Sequence, residues 1–202
     1  MNSQYKLEKS SSISKFIFFD FETTGIGQIN CQRAIELAWI VTNSELNTIK
    51  KTSCFITGQN KINQDFHKEL SIEKIENEGK SPKNVLNDFI TDINKVLNND
   101  GKLVSHNCEF DINILFNECF YASIDINKDL ILDNSICTKE STTDICKLTP
   151  KIGIHYKYPK LSELYTVLYG KNPDKKLHRA LNDTEILLDC AKKLQQTFDM
   201  FL

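Results

Sequence analysis

The sequence has almost no arginine: of its 25 basic residues only Arg33 and Arg179 are arginines, and the rest are lysines. With 27 acidic residues, the formal net charge is −2. This balance excludes a strongly basic nucleic-acid binder but is compatible with a local basic patch. Contacts with phosphate would fall mainly to lysine, which acts as a mobile point charge and lacks the two-pronged hydrogen bonding of arginine.

Long apolar runs are also missing. No stretch approaches the roughly 20 apolar residues that cross a membrane, and residues 1–15 lack the apolar core of a secretion signal. Residues 1–14 are polar and rich in serine, so we expect a flexible N-terminal arm there. We therefore expect a soluble intracellular protein, in the cytoplasm or the nucleus, with no membrane contact.

The cysteines show no pairing pattern. Their number is odd, there is no Cys-x-x-Cys, and together with the four histidines they form no zinc-binding spacing. We interpret them as free thiols in a reducing compartment, most of them small apolar residues of the core. The seven are Cys31, Cys54, Cys108, Cys119, Cys137, Cys146 and Cys190.

No repeat and no linker divides the 202 residues, so a single domain over 15–202 is predicted. Strand-like patterns come first and then alternate with helical ones, which predicts an α/β fold with a mixed sheet flanked by helices. The predicted strands lie at 16–22, 33–43, 48–56, 103–104 and 130–133. The predicted helices lie at 70–78, 82–97, 111–121, 139–147, 161–169 and 179–198, with Ser71 and Ser81 as N-caps.

Two carboxylates end the first predicted strand. An apolar run from Phe16 to Phe19 is followed by Asp20 and Glu22, with Phe21 between them. Because side chains alternate along a strand, Asp20 and Glu22 point to the same face. Two adjacent carboxylates repel each other unless a cation neutralises them, and Mg²⁺ and Mn²⁺ prefer such oxygen ligands. The alternative is a strand that surfaces into a loop, with both carboxylates solvated.

A second polar segment follows the short strand predicted at 103–104. His106 and Asn107 lie in a loop, and Asp111 stands at the start of the next predicted helix. The helix dipole favours a carboxylate there, while leaving it available to a cation. The alternative is an ordinary first-turn acid that follows a turn.

A third segment combines His178 with Asp183, five residues apart. Within one helix the two would lie about 140° apart, so they share a face only if His178 lies in the loop before the helix. The alternative is a capping or solvated His178 and an Asp183 that pairs with Arg179. Nearby lysines form either a solvated face or a patch that attracts a phosphate backbone; these are Lys157, Lys160, Lys171, Lys175 and Lys176.

Taken together, three motifs resemble those of the DEDDh family of 3′→5′ exonucleases, which includes the proofreading subunits of bacterial replicative polymerases. The motifs are Asp20-x-Glu22-Thr23-Thr24-Gly25, His106-Asn107-x-x-Phe110-Asp111 and His178-Arg179-Ala180-Leu181-x-Asp183. Their order and separations also match, and the resemblance extends from Phe16 to the last helix. It implies a ribonuclease-H-like fold with a five-stranded mixed sheet flanked by helices.

The resemblance also implies a site with two Mg²⁺ or Mn²⁺ ions, held by Asp20, Glu22, Asp111 and Asp183. His178 would be the general base, since an imidazole is largely neutral at pH 7 and accepts a proton. The products would be nucleoside 5′-monophosphates. The positions that match contacts to the terminal nucleotide are Thr23, Thr24, His106, Asn107 and Phe110.

The implied substrate is the 3′ end of a nucleic acid, with single-stranded or frayed DNA favoured over RNA, and a DNA polymerase is one candidate partner. Two alternatives stay open. One is an exonuclease that trims RNA, because no residue separates the two polymers. The other is a nucleic-acid-binding module on the same fold without activity, against which the retained carboxylates and histidine count.

Overall fold

The computed structural model describes residues 13–25, 27–28, 31–65, 67–150 and 152–198. Residues 1–12, which make up most of the predicted N-terminal arm, lie outside the described residues. Among the helices of the described part, none combines the length and the apolar character needed to cross a membrane.

Five strands form one mixed sheet at the centre of the fold. They are β1 (Phe16–Thr23), β2 (Ala34–Thr42), β3 (Thr48–Phe55), β4 (Lys102–Ser105) and β5 (Ser135–Cys137). The order across the sheet is β3-β2-β1-β4-β5. β1, β2 and β3 form an antiparallel meander, whereas β4 pairs in parallel with β1, and β5 in parallel with β4. The predicted mixed sheet is confirmed.

Helices cover both faces of the sheet. They are α1 (Ile72–Glu78), α2 (Pro82–Leu97), α3 (Cys108–Tyr121), α4 (Lys128–Asp133), α5 (Thr138–Ser141), α6 (Thr143–Cys146), α7 (Leu161–Tyr169) and α8 (Ala180–Phe198). Ser71 caps α1, because its hydroxyl accepts the backbone N–H of Lys74 at 3.1 Å. Gly170 ends α7 in the left-handed region with φ of 70°.

Side chains alternate between the two faces along β1, and this alternation determines which face carries its carboxylates. Phe19 and Phe21 face α2 and pack against Phe89, with ring centroids 5.4 and 6.2 Å apart. Phe16 and Phe18 face the other way and pack in a cluster with residues of α8. Asp20 and Glu22 continue that second face, so they emerge on the side of the sheet that α8 covers.

The predicted strand at 130–133 is wrong. These residues belong to α4, and the edge strand is β5, which follows it. The apolar run suggested a buried strand, but Leu130 is 43% exposed and Leu132 is 52% exposed, and only Ile131 is buried. The side chain of Asn127 accepts the N–H of Leu130 at 3.0 Å and so starts a helix.

Two further expectations need correction. The single helix predicted at 139–147 is two short helices, α5 and α6, because Thr142 between them has φ of −105° and ψ of 4°, outside the helical range. Ser81 precedes α2 as expected, but its side chain makes no capping hydrogen bond. Pro82 at the first helical position leaves one N–H fewer to satisfy there.

Candidate active site

Three carboxylates meet at the end of β1. Asp20 and Glu22 come from β1 itself, and Asp183 comes from the first turn of α8, which packs on the same face of the sheet. One carboxylate oxygen from each residue lies within 4.8 Å of the other two. The fold thus brings Asp183 beside two residues that lie more than 160 positions earlier in the chain.

Asp111 lies beside this group and not in it. It stands in the first turn of α3, is 2% exposed, and its Oδ1 accepts the backbone N–H of Phe21 at 3.2 Å. Among the neighbouring charges, that of Asp111 contributes most to the raised pKa of Asp20, after burial. The fourth carboxylate is therefore close enough to add to the negative field of the other three.

This crowding makes the carboxyl groups resist ionisation. Burial, followed by the charges of neighbouring carboxylates, raises the pKa of Asp20 well above 3.8 and the pKa of Glu22 to about 8. Burial also raises the pKa of Asp111 and of Asp183 to about 7. A divalent cation would reverse this effect, because it stabilises the ionised carboxylates.

Asp183 provides a test of whether a cation fits. Its Oδ2 accepts the backbone N–H of His178 at 3.0 Å, whereas its Oδ1 is buried and has no hydrogen-bond partner among the described residues. A buried carboxylate oxygen without a partner is unfavourable, and coordination to a metal ion would satisfy it. The donor set consists of carboxylate oxygens, which suit Mg²⁺ or Mn²⁺. The residues present fit a divalent-cation site.

His178 lies in the loop immediately before α8, not in the helix. Its backbone is in the left-handed region with φ of 68°, which is uncommon for a residue other than glycine. The N–H of His178 donates to Asp183, and its side chain lines two cavities that flank the carboxylates. Because His178 lies in the loop and Asp183 in the helix, the two residues reach the same site although they are five positions apart.

Arg179 does not pair with Asp183, so that alternative is wrong. Its Nε and Nη2 donate to the two oxygens of Glu36 on β2, at 3.0 and 3.1 Å. The backbone N–H of Ala180 contacts the same carboxylate at 3.4 Å, and Glu36 is 1% exposed. This ion pair between a partly exposed arginine and a buried glutamate ties the beginning of α8 to the sheet, and with it the residues on either side of Arg179.

A cavity of about 290 Å³ opens on one side of the carboxylates. Its lining includes Glu22, Thr23, Phe110, His67 and His178. Phe110 contributes an aromatic surface, while the other four contribute polar atoms. An apolar wall with a few polar groups is typical of a small-ligand site.

The hydroxyls of both predicted threonine contacts are engaged within the protein. Thr23 Oγ1 donates to Gln32 at 2.7 Å, and Thr24 Oγ1 accepts the backbone N–H of Arg33 at 3.2 Å. These bonds link the end of β1 to the residues just before β2. Thr23 lines the cavity described above, whereas Thr24 is not among its lining residues.

A larger cavity of about 550 Å³ lies on the other side of the carboxylates, and His106 and Asn107 line it. The Nε2 of His106 is 2.9 Å from the carbonyl oxygen of Pro159, which can only accept, so this nitrogen carries the proton. Its Nδ1 then accepts from the hydroxyl of Thr138 at 3.0 Å, and burial lowers the pKa of His106 to about 4. Both ring nitrogens are thus used inside the protein, and His106 shapes the cavity wall.

His67 is a site residue that the sequence analysis missed. It is 5% exposed, its Nε2 donates to the carbonyl oxygen of Thr23 at 2.7 Å, and its Nδ1 lies 3.8 Å from Glu22. Burial lowers its pKa, which keeps the ring neutral. No helical or strand pattern surrounds His67, and its partners are more than 40 positions away, so no local signal marks it.

Residues 17–190 match the RNase T family model, which is described as an exonuclease. No curated protein sequence matches the chain at a significant level. The match spans all three motifs, from β1 into α8, and includes every residue of the carboxylate group.

The fold also matches solved structures of exonuclease I. One is Escherichia coli exonuclease I in complex with a dA16 oligonucleotide, at 16% identity and a TM-score of 0.74, covering 93% of this chain and 42% of that one. Another is the complex with a dT13 oligonucleotide, at 19% identity and a TM-score of 0.72, covering 92% and 43%. A third is the zinc-bound form of the E. coli complex with single-stranded DNA, at 16% and 0.72, covering 93% and 42%.

At these identities the likeness establishes the shared ribonuclease-H-like fold. The chain spans a little over two fifths of the length of the exonuclease I chains that it matches.

Proposed function

The chain belongs to this exonuclease family, and from that premise we propose that it is a 3′→5′ exonuclease that releases nucleoside 5′-monophosphates. The observation that carries the proposal is the meeting of Asp20, Glu22 and Asp183 within 4.8 Å, with His178 hydrogen-bonded to Asp183. Hydrolysis of a phosphodiester needs an activated water and neutralisation of charge on the phosphoryl oxygens. Carboxylates that hold cations, next to an imidazole, are suited to both tasks.

Two divalent cations, Mg²⁺ or Mn²⁺, are the proposed cofactors. Asp20, Glu22 and Asp183 would hold one of them, and Asp20 would hold the other with help from Asp111 through water. When bound, the ions would lower the pKa of the attacking water and stabilise negative charge on the phosphoryl group and the leaving oxygen. The unpartnered Oδ1 of Asp183 and the raised pKa values of the four carboxyls support this assignment.

His178 is the proposed general base. Its side chain reaches both cavities, so it lies where the terminal nucleotide and the rest of a strand would meet. The hydrogen bond from its backbone N–H to Asp183 holds His178 beside a proposed cation ligand, which supports this role. From there the imidazole would take the proton of the attacking water.

We propose single-stranded DNA as the substrate. The cavity of about 290 Å³ is near the lower limit of small-ligand pockets, which suits one nucleotide, and Phe110 offers a face on which its base can stack. The preference for DNA rests on the solved relatives, which hold single-stranded DNA oligonucleotides.

The test is a panel of 3′-labelled DNA and RNA, single- and double-stranded, with Mg²⁺, Mn²⁺ or EDTA. We expect mononucleotides from single-stranded DNA with either cation and none in EDTA. Faster cleavage of RNA would replace the proposal with the RNA-trimming alternative. Binding of the oligonucleotides without any cleavage would identify a non-catalytic binding module.

A DNA polymerase remains the proposed partner, on the ground of the resemblance to proofreading subunits alone. If the chain works as such a subunit, adding the polymerase should increase removal of a mismatched 3′ nucleotide from a primed template. An unchanged rate would favour a stand-alone role in repair or trimming.

A further inference from the structure

The larger cavity has a basic and aromatic wall to which the proposed reaction assigns no role. The cavity begins at Asp20, Asp183 and His178 and continues to this basic and aromatic surface. We call this surface the tyrosine–lysine track and define it by Asn107, Lys139, Tyr158 and Lys160, all of which line the cavity.

Lys139 and Tyr158 form the centre of the track. The Nζ of Lys139 donates to Oδ1 of Asn107 at 2.6 Å and lies 5.3 Å from the centroid of the Tyr158 ring. The loop that carries Tyr158 leaves this residue 59% exposed. The ammonium group makes a favourable cation–π contact with the ring, and the exposed part of the ring is available to a ligand.

The charge of the track is opposite to that of the neighbouring carboxylates. Lys139 and Lys160 line the same cavity as Asp20 and Asp183, so two ammonium groups share a wall with two of the carboxylates. Together they can offset the repulsion that a phosphate backbone would meet near four acids.

The two cavities give the track a direction. The smaller one contains Thr23 and Phe110, the larger one contains the track, and His178 lines both. A strand whose terminal nucleotide fills the smaller cavity must leave past the carboxylates into the larger one, because the scissile phosphate joins the two nucleotides.

We propose that the tyrosine–lysine track binds the nucleotides on the 5′ side of the scissile bond. One unpaired base stacks on Tyr158, and Lys139 and Lys160 contact the phosphates that follow it. Because stacking needs an exposed base face, the track selects single strands and excludes a paired one. This inference rests on the proposed exonuclease function and specifies how that site holds its polymer.

Tyr158→Ala tests the stacking contact. Loss of one base–aromatic stack corresponds to an increase of about 5- to 150-fold in KM for a single-stranded oligonucleotide, and Tyr158→Phe should keep the wild-type value because it retains the ring. Tyr156→Ala is the matched control, since Tyr156 lies in the same loop, is 46% exposed and does not line the cavity.

Lys139→Gln tests the phosphate contact. We expect the slope of log Kd against log salt, measured by fluorescence anisotropy in EDTA, to become shallower by about 0.7, the value for one phosphate contact on a single strand. Lys83→Gln, on the exposed side of α2, is the control and should keep the wild-type slope.

The outcomes separate this inference from the proposed function. An active wild-type protein whose KM and salt slope are unchanged in Tyr158→Ala and Lys139→Gln would refute the track and leave the exonuclease proposal in place. A Tyr158→Phe variant as weak as Tyr158→Ala would also refute stacking. A wild-type protein that cleaves none of the substrates would refute the proposed function itself.

Discussion

Asp183 joins the proposed cation site to the proposed base, since one of its oxygens accepts the backbone N–H of His178 and the other has no hydrogen-bond partner among the described residues. Asp183→Asn keeps the shape of the side chain but removes its charge, so we expect cleavage to be abolished while the fold stays intact. Release of a 3′ label and circular dichroism measure the two effects. Asp189→Asn, on the same helix and outside the site, should remain active; an Asp183→Asn variant that still degrades the labelled end would contradict the two-ion site.

His178 carries the proton-transfer role in the proposed reaction. His178→Ala should lower kcat by about 10²–10⁴-fold, the range for loss of a general base. Single-turnover kinetics with saturating protein would measure the chemical step directly. His155→Ala serves as the control because His155 is exposed in the loop before α7. If His178→Ala loses nothing, another group accepts the proton.

At the scale of elements, two arginine–glutamate pairs of the same kind anchor the beginnings of α8 and β2. Arg179 and the N–H of Ala180 meet Glu36, and Arg33 and the N–H of Ala34 meet Glu118 at 2.8 to 3.0 Å. Both glutamates are fully buried. The first pair ties α8 to β2, and the second ties β2 to α3. Each arrangement uses an arginine side chain and the next backbone N–H to satisfy one carboxylate.

These two pairs allow a matched experiment. Arg179→Met and Arg33→Met each remove the charged partner of a buried carboxylate. Both should therefore lower the free energy of unfolding by about 3–5 kcal/mol. Only Arg179→Met should also lower kcat, because only that arginine fixes the loop that presents His178. Urea unfolding and kcat, measured at a low temperature where both variants stay folded, provide the comparison, and Arg179→Lys gives a milder version. Equal losses of kcat would show that Arg179 acts through stability alone.

The sequence predicts the helices and strands that a pattern of neighbouring residues marks. The β1 run, the three-strand meander and α8 follow from alternation and helical spacing, and Asp20, Glu22, Asp111, His178 and Asp183 stand out because they end strands or begin helices. α4 is missed because three apolar residues in a row fit a strand as well as one turn of helix. Glu36 and His67 are missed because their roles depend on partners far away in the chain.

At the scale of the whole molecule, the carboxylate site makes stability depend on pH. Burial places the pKa of Glu22 at about 8 and those of Asp111 and Asp183 at about 7, well above the ordinary values of 4.5 and 3.8. Between about pH 4 and pH 8 these carboxyl groups therefore bind more protons in the folded protein than in the unfolded chain, so their contribution to stability falls as the pH rises.

In EDTA, we expect the Tm to decrease from about pH 5 to about pH 8. Mn²⁺ should raise the Tm more at the higher pH, because protons compete with the metal for the same oxygens. Scanning calorimetry at both pH values, with and without Mn²⁺, measures this. Asp183→Asn should weaken the response to Mn²⁺, whereas an equal response at both pH values would contradict the linkage.

The two arginine–glutamate pairs have a consequence for how a strand would move in the proposed reaction. Because both arginines donate to buried glutamates, their forked guanidinium groups are not free to clamp a phosphate. An ammonium group on a flexible stem holds phosphate without a fixed orientation and exchanges readily with water. In the proposed reaction, the shortened polymer would therefore advance by one unit after each cut without first breaking a rigid contact with the protein.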